Sequence, residues 1–501
     1  MRTATPRTDR DSILWEITRS LCPTCRRVID AQIHLRAGKV VMRKRCPEHG
    51  QFEALVFGDA ALYTRIQGHN KPGTIPLRFQ TEVKDGCPLD CGLCPEHQQH
   101  ACLALIEVNS ACNLDCPLCF ANSGTHLAKT GFELTYEQVD AMLDTFVAAE
   151  GEPEVVQFSG GEPTLHPRIL DFVELAQQKG ISYVMINTNG IRIARDDALL
   201  EGIARLRPHI YLQFDGFDER TNAVLRGRPD LIETKLRALD RLAQTDARVV
   251  LVAAIERDVN LHEVGRIVEF GLSHPAVFGV NFQPAFRAQR HVAADPMTRV
   301  TIPDVLGALA EQTAGRFVVD DFVPVPCCMP TCNFVTYALI DGSGVTPITR
   351  LVDIDTHLDY LKNRTLPRVG DDLLAILERL WSSSAPVGSD RAADDVHRAV
   401  ELGRGADRCT ACRSQLPLSQ HTPRDVARHV FMINTRDFMD PWTFNVKNVM
   451  KCCVEFLVPD GRMIPFCAYN SVGYREQVAA GLRSSASRAA ELPVALARRS
   501  L

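Results

Sequence analysis

The stretch Cys112-Asn113-Leu114-Asp115-Cys116-Pro117-Leu118-Cys119 follows the apolar run Leu103 to Val108 and sets three thiols at gaps of three and two residues. Soft thiolates so close together suit an iron–sulfur cube, in which each iron takes one protein ligand. Three ligands leave one iron open. One strand and one helix further on comes Gln157-Phe158-Ser159-Gly160-Gly161-Glu162-Pro163-Thr164, a strand end running into a Gly-rich turn ahead of a helix expected from Pro167 to Lys179. Glycines at such a turn let backbone groups approach a ligand closely.

Working outward from these two motifs, apolar runs separated by helical stretches place six strands. They are Leu103 to Val108, Val155 to Phe158, Ser182 to Asn187, His209 to Asp215, Arg248 to Ile255 and Gly279 to Gln283. Helices fall between them, for example Thr135 to Ala149 with its stripe Val139, Met142, Leu143, Phe146 and Val147, and Leu231 to Ala243. Strands alternating with helices predict an α/β fold with a parallel sheet, here a partial (β/α)6 TIM-like barrel. Chemistry in such folds sits at the C-terminal strand ends, where Asn187-Thr188-Asn189-Gly190, Gln213-Phe214-Asp215-Gly216 and Asn281-Phe282-Gln283 occur.

The chain has 501 residues, more than one core usually holds. Lys and Arg number 56 against 61 Asp and Glu, a net charge of -5 that offers no basic excess for nucleic acid. No run approaches the ~18 to 20 apolar residues of a membrane helix. The N-terminus, Met1 to Ile17, is polar and lacks an apolar signal core, so a cytoplasmic location is expected. In that setting eighteen cysteines point to metal rather than to disulfides.

The cysteines cluster. Cys22-Pro23-Thr24-Cys25 and Cys46-Pro47-Glu48-His49 are two knuckles facing each other across a hairpin, a mononuclear Cys3His site for zinc or iron. Cys87, Cys91 and Cys94, with Cys102 eight residues on, can hold a [4Fe-4S] cluster; a second zinc knuckle is the alternative. In the C-terminal half, Cys453 to Cys467 reads as a hairpin with an Asp-Gly turn. Its two cysteines, with Cys332 and one of Cys327 or Cys328, make a further [4Fe-4S] site, for which Cys409 and Cys412 are rival ligands. The Ser- and Ala-rich stretch from Leu380 to Arg408 reads as an exposed excursion, and Gly481 to Leu501 as a fraying tail.

The triad and the Gly-Gly-Glu turn together resemble the radical S-adenosylmethionine superfamily. That resemblance implies that the open iron on Cys112, Cys116 and Cys119 is chelated by S-adenosylmethionine, whose methionine amino group meets Gly160, Gly161 and Glu162. It makes Asn187, Asn189, Gln213 and Asp215 neighbours of the cofactor's methionine and ribose. The order of knuckle, Gly86 to Cys94 loop, His100 to Glu107, triad, Pro326-Cys327-Cys328 and Pro465-Phe466-Cys467-Ala468-Tyr469-Asn470 further resembles the tetraether synthase family over residues 18 to 470. This sequence departs from it in His49, where a rubredoxin site would carry a cysteine, and in Cys409 and Cys412.

The resemblance implies five segments: a zinc-ribbon or rubredoxin-like domain over 1–80, an auxiliary cluster loop over 81–104, the barrel over 105–290, an auxiliary iron–sulfur domain over 291–470 and a flexible tail over 471–501. It implies three [4Fe-4S] clusters, one mononuclear zinc or iron, and a low-potential electron donor of ferredoxin or flavodoxin type. The expected activity is hydrogen abstraction by a 5'-deoxyadenosyl radical and C–C bond formation between lipid alkyl chains, by a protein in peripheral contact with the inner membrane surface. The alternatives are methylation of a pterin precursor, peptide modification and, in a different class, a non-catalytic electron carrier. A greasy tunnel would favour lipid, and a polar pocket pterin or peptide.

Overall fold

The computed structural model describes residues 11–290, 295–326, 328–341, 344–351, 376, 380, 394–399 and 429–483. Cys327, Cys409, Cys412, most of the Leu380 to Arg408 stretch and residues 484–501 of the tail lie outside the described residues.

Four antiparallel strands come first: β1 (Ile13–Leu21), β2 (Val28–Arg36), β3 (Lys39–Cys46) and β4 (Gly50–Phe57), paired in chain order. The knuckle Cys22 to Cys25 lies in the β1–β2 turn, and the knuckle Cys46 to His49 in the β3–β4 turn.

A parallel run follows: β5 (Leu103–Glu107), β6 (Val155–Ser159), β7 (Tyr183–Thr188), β8 (His209–Gln213), β9 (Val249–Ile255) and β10 (Val277–Pro284). Each pairs parallel with its predecessor. Six strands were expected at these places, and the arrangement is consistent with a partial barrel. The crossover helices begin on local signals. Thr135 caps Tyr136–Glu150 through a capping box with Gln138, and the Asp196 side chain caps Asp197–Leu206.

The sheet does not stop at β10. β11 (Val323–Pro324), β12 (Asn333–Asp341), β13 (Gly344–Pro347), β14 (Val430–Arg436), β15 (Val454–Leu457) and β16 (Met463–Pro465) complete it. β14 lies parallel to β10 and antiparallel to β12, while β15 lies parallel to β5 at the other side. The β15–β16 hairpin turns at Asp460-Gly461, as expected, with Gly461 at φ 85°. C-terminal strands thus extend the sheet past both ends of the parallel run.

Side chains alternate across a strand, so the sheet has two unlike faces. Ala104, Ile106, Phe158, Ile186, Leu212, Phe282 and Ile433 point to one face and bury against the helices in the main apolar core. The positions between them, including Gln157, Ser159, Asn187, Tyr211, Gln283, Asn434 and Arg436, line a chamber on the other face. Among the described residues no helix is long and apolar enough to cross a membrane.

Candidate active site and metal centres

Cys112, Cys116 and Cys119 lie in the loop after β5 and line one cavity together with Gly160, Gly161, Glu162, Asn187, Asn189 and Gln213. The structure therefore brings together nearly all of the residues that the resemblance assigns to the cofactor. The two glycines are required by backbone crossing. A Cβ on Gly160 would lie 2.4 Å from the Asn109 carbonyl oxygen, and one on Gly161 2.1 Å from that of Ala111. The Gly161 and Glu162 amides donate to those same Asn109 and Ala111 carbonyls at 2.8 and 2.9 Å, tying the Gly-Gly turn to the cysteine loop.

Glu162 is buried. Its Oε1 accepts from Thr188 Oγ1 at 2.7 Å and from Thr164 Oγ1 at 2.6 Å, and its Oε2 accepts from the Asn189 amide at 2.8 Å. The carboxylate fixes the end of β7, from which Asn189 Nδ2 donates to Asn113 Oδ1 at 2.7 Å, inside the cysteine loop. Burial, followed by the Glu162 charge, pushes the Cys112 thiol up to about 12. Loading such a site with metal must release protons.

Asp215 is placed differently from expectation. It does not line the cavity: it is fully buried, and both its oxygens are taken by the Arg226 guanidinium, at 2.6 and 2.7 Å. Gln213 Nε2 and the Ala254 amide also donate to it. Arg226 in turn reaches Cys116, whose thiol is raised by burial, and the guanidinium charge opposes that rise. Beneath them the buried Lys235 donates to Gln213 Oε1 and to its carbonyl, each at 2.6 Å. Arg226 and Lys235 passed unnoticed in the sequence because both occupy ordinary helix positions.

A second cysteine group gathers where β12 and β15 begin and β16 ends: Cys328, Cys332, Cys452, Cys453 and Cys467 line one small cavity. Cys332 is pushed up to about 12 by burial, then by Asp437 and Cys453. Cys467 accepts the Met439 amide at 3.3 Å, and Asn448 Nδ2 lies 3.9 Å from Cys332. The adjacent Cys452 joins the expected Cys453.

A hydrogen bond with Cys87, then burial, raises the Cys91 thiol, and burial, with the Cys87 charge a smaller cause, raises that of Cys94. Tyr474 fixes the loop, accepting from the Cys91 amide and donating to the Leu89 carbonyl. Cys102 sits at the head of β5, where its amide donates to the Cys453 carbonyl and its sulfur lies 3.6 Å from His100 Nε2.

In the N-terminal sheet the ligand atoms of Cys22, Cys25, Cys46 and His49 all lie within 4.8 Å of one another. Nδ1 of His49 is 3.5 Å from Cys46 Sγ and 3.7 Å from Cys22 Sγ. A cluster this tight, of three sulfurs and one imidazole, suits a mononuclear tetrahedral ion.

Between the triad and the C-terminal cysteines lies the chamber on the sheet face. It shares Asn187, Gln283, Phe286 and Phe438 with the triad cavity, and Asn333, Arg436, Phe438 and Phe466 with the C-terminal one. Phe120, Phe286, Phe438 and Phe466 form its aromatic wall, with Phe438 and Phe466 stacked at 4.1 Å.

Residues 106–271 match the Radical SAM superfamily, and residues 14–58 match the HMPTM N-terminal zinc ribbon domain. The chain is 34% identical to the 7,8-dihydro-6-hydroxymethylpterin dimethyltransferase of Methanocaldococcus jannaschii, over 92% of this chain and 94% of that one. It is 27% identical to the PqqA peptide cyclase of Bradyrhizobium diazoefficiens, over 50% of this chain and 59% of that one. Among solved structures, Streptococcus suis SuiB bound to the precursor peptide SuiA is 17% identical with a TM-score of 0.35, covering 44% of this chain and 46% of that one. The match along nearly the whole chain is to a pterin enzyme, which favours the alternative named from sequence over the tetraether synthase reading. Such membership implies S-adenosylmethionine and a [4Fe-4S] cluster: the chain belongs to the radical SAM superfamily and, within it, to the family of the 7,8-dihydro-6-hydroxymethylpterin dimethyltransferase of Methanocaldococcus jannaschii.

Proposed function

We propose that this protein is a radical SAM methyltransferase acting on a reduced pterin of the 6-hydroxymethyl type. The observation that carries the reading is the polar floor of the chamber between the two cysteine groups. Gln157, Asn187, Tyr211, Asn333, Asn434 and Arg436 set placed polar groups in a space otherwise lined by apolar side chains such as Leu105, Val252 and Met432, and an alkyl chain would give those groups no partner. Small-molecule sites of this kind combine aromatic walls with a few placed polar groups, and Phe286, Phe438 and Phe466 supply the walls.

On this reading Cys112, Cys116 and Cys119 hold the cluster, and Gly160 and Gly161 leave room for the methionine end of the cofactor. The group held there supplies hydrogen-atom removal from unactivated carbon, with 5'-deoxyadenosine as its product. The chain's own residues do the rest. Glu162 locks the strand end that carries Asn189, Arg226 offsets part of the burial that raises the Cys116 thiol, and the Phe120, Phe286 and Phe438 wall keeps water from the reacting carbon. Cys328, Cys332, Cys452, Cys453 and Cys467 supply more than enough thiols for a second cluster, and Cys87, Cys91, Cys94 and Cys102 for a third. The N-terminal site holds zinc or iron, and a ferredoxin- or flavodoxin-type donor supplies electrons.

The test is an anaerobic reaction of cluster-loaded protein with reductant, S-adenosylmethionine, a one-carbon donor and 7,8-dihydro-6-hydroxymethylpterin, followed by mass spectrometry. Pterin heavier by whole methylene units supports the reading. Unchanged pterin alongside coupled lipid, when a total lipid extract is added, would return the tetraether alternative.

A further inference from the structure

We infer that Asn333 and Asn434 form the edge that reads the substrate's heterocycle through its lactam and amino groups, an inference that rests on the pterin reading above. Both side chains project from adjacent antiparallel strands, β12 and β14, into the chamber. Register places Asn333 opposite Arg436, and Asn434 between Val335 of β12 and Asn281 of β10. Asn434 and Arg436 are two residues apart on one strand, so they share a face.

Asn333 is 3% exposed and Asn434 8%, yet the Oδ1 of each has no hydrogen-bond partner. Asn281 beside them has the same unpartnered oxygen, while its Nδ2 donates to the Tyr211 hydroxyl. Leaving a buried polar atom unpaired costs about 1–3 kcal/mol. Two such oxygens lining one chamber on neighbouring strands, with that of Asn281 beside Asn434 in the sheet, are a cost that a bound ligand can offset.

The chemistry of that ligand follows from the amide group. A carboxamide pairs two-pronged with an adjacent donor and acceptor, as asparagine does with the edge of adenine. A 2-amino-4-oxo pyrimidine ring carries N3–H between its 4-oxo and 2-amino groups, so two amides side by side can take its whole polar edge. Alkyl chains offer nothing to these atoms. The fused ring would lie along the Phe438 and Phe466 pair, whose flat faces favour stacking.

The experiment is a fluorescence titration of cluster-loaded protein, with S-adenosylmethionine present, by oxidised 6-hydroxymethylpterin. Wild type is compared with Asn333→Leu and Asn434→Leu, which keep volume and remove the amide. Each variant should bind roughly ten- to a hundredfold more weakly, the worth of one two-pronged pair. Iron and sulfide content should match the wild type, which shows that the metal centres remain loaded. To separate lost recognition from a folding defect, wild type is also titrated with the N3-methylated pterin, which blocks the same edge and should lose affinity to a similar degree. If wild type binds the pterin and neither change weakens it, the edge assignment is overturned and the pterin reading stands. If wild type binds no pterin, both fall.

Discussion

The Asp215 carboxylate holds the Arg226 guanidinium through two hydrogen bonds, 2.6 Å to Nε and 2.7 Å to the terminal nitrogen, and so aims it at the thiol of Cys116. A two-pronged pair fixes direction as well as distance. Asp215 therefore serves the cluster loop from beneath the cavity, through Arg226.

Removing one partner of such a buried pair strands the other charge. Arg226→Met should cost roughly 3–5 kcal/mol in stability, while adding Asp215→Asn should recover a good part of it. Anaerobic urea unfolding of the two proteins checks this. A loss below about 1 kcal/mol in the single variant would mean that the pair does not bind the loop as described.

Two glycines give opposite expectations for the same change. Gly161→Ala drives a methyl group to 2.1 Å from the Ala111 carbonyl oxygen, so the cysteine loop must move away from the turn and S-adenosylmethionine binding should be lost. Gly307, in the helix Ile302–Gln312, has nothing within 4 Å of an added Cβ. Gly307→Ala should stabilise by about 0.5–1 kcal/mol and leave binding intact. Equilibrium dialysis with labelled cofactor and thermal unfolding read the two effects.

Replacing Cys112, Cys116 and Cys119 together by alanine should abolish 5'-deoxyadenosine formation while iron persists at the other cysteine groups. Iron and sulfide analysis beside product chromatography measures both. Continued cofactor cleavage by the triple variant would show that the radical site lies elsewhere.

The N-terminal site should behave as a structural staple. Metal binding there requires deprotonated Cys22, Cys25 and Cys46 and a neutral His49, so affinity should fall as pH is lowered. His49→Ala or a strong chelator should release one ion and loosen the sheet from Ile13 to Phe57. Its docking contacts would go with it, among them Lys44 on the carbonyls of Pro441 and Trp442. Elemental analysis with limited proteolysis follows both changes, and also tells zinc from iron. An unchanged digestion pattern after metal loss would contradict the staple.

How much of this was legible in the sequence depends on how local the signal is. The strands from Leu103 to Gln283 and the turn at Gly160 announce themselves within a few residues, because strand alternation and turn chemistry are short-range. Asp215 reads in the sequence as a ligand contact, because its partner, Arg226 on the following helix, is seen only in the fold. Asn333 and Asn434 could not be read at all. They become neighbours only when β12 and β14, far apart in sequence, pair beside β10. The same reason explains the substrate. Cysteine order reports the metal scaffold, which pointed to tetraether synthase, whereas on the proposed reading the substrate would meet alternate residues on the inner face of the sheet, a face that only the assembled strands define.

The most direct test of the central claim is isotope transfer. Cluster-loaded protein would be reduced anaerobically with S-adenosylmethionine and a 7,8-dihydro-6-hydroxymethylpterin deuterated at its carbon-bound positions, with total lipid extract present as competitor. The account predicts 5'-deoxyadenosine carrying deuterium from the pterin. Unlabelled 5'-deoxyadenosine, formed no faster with the pterin than without it, would contradict it.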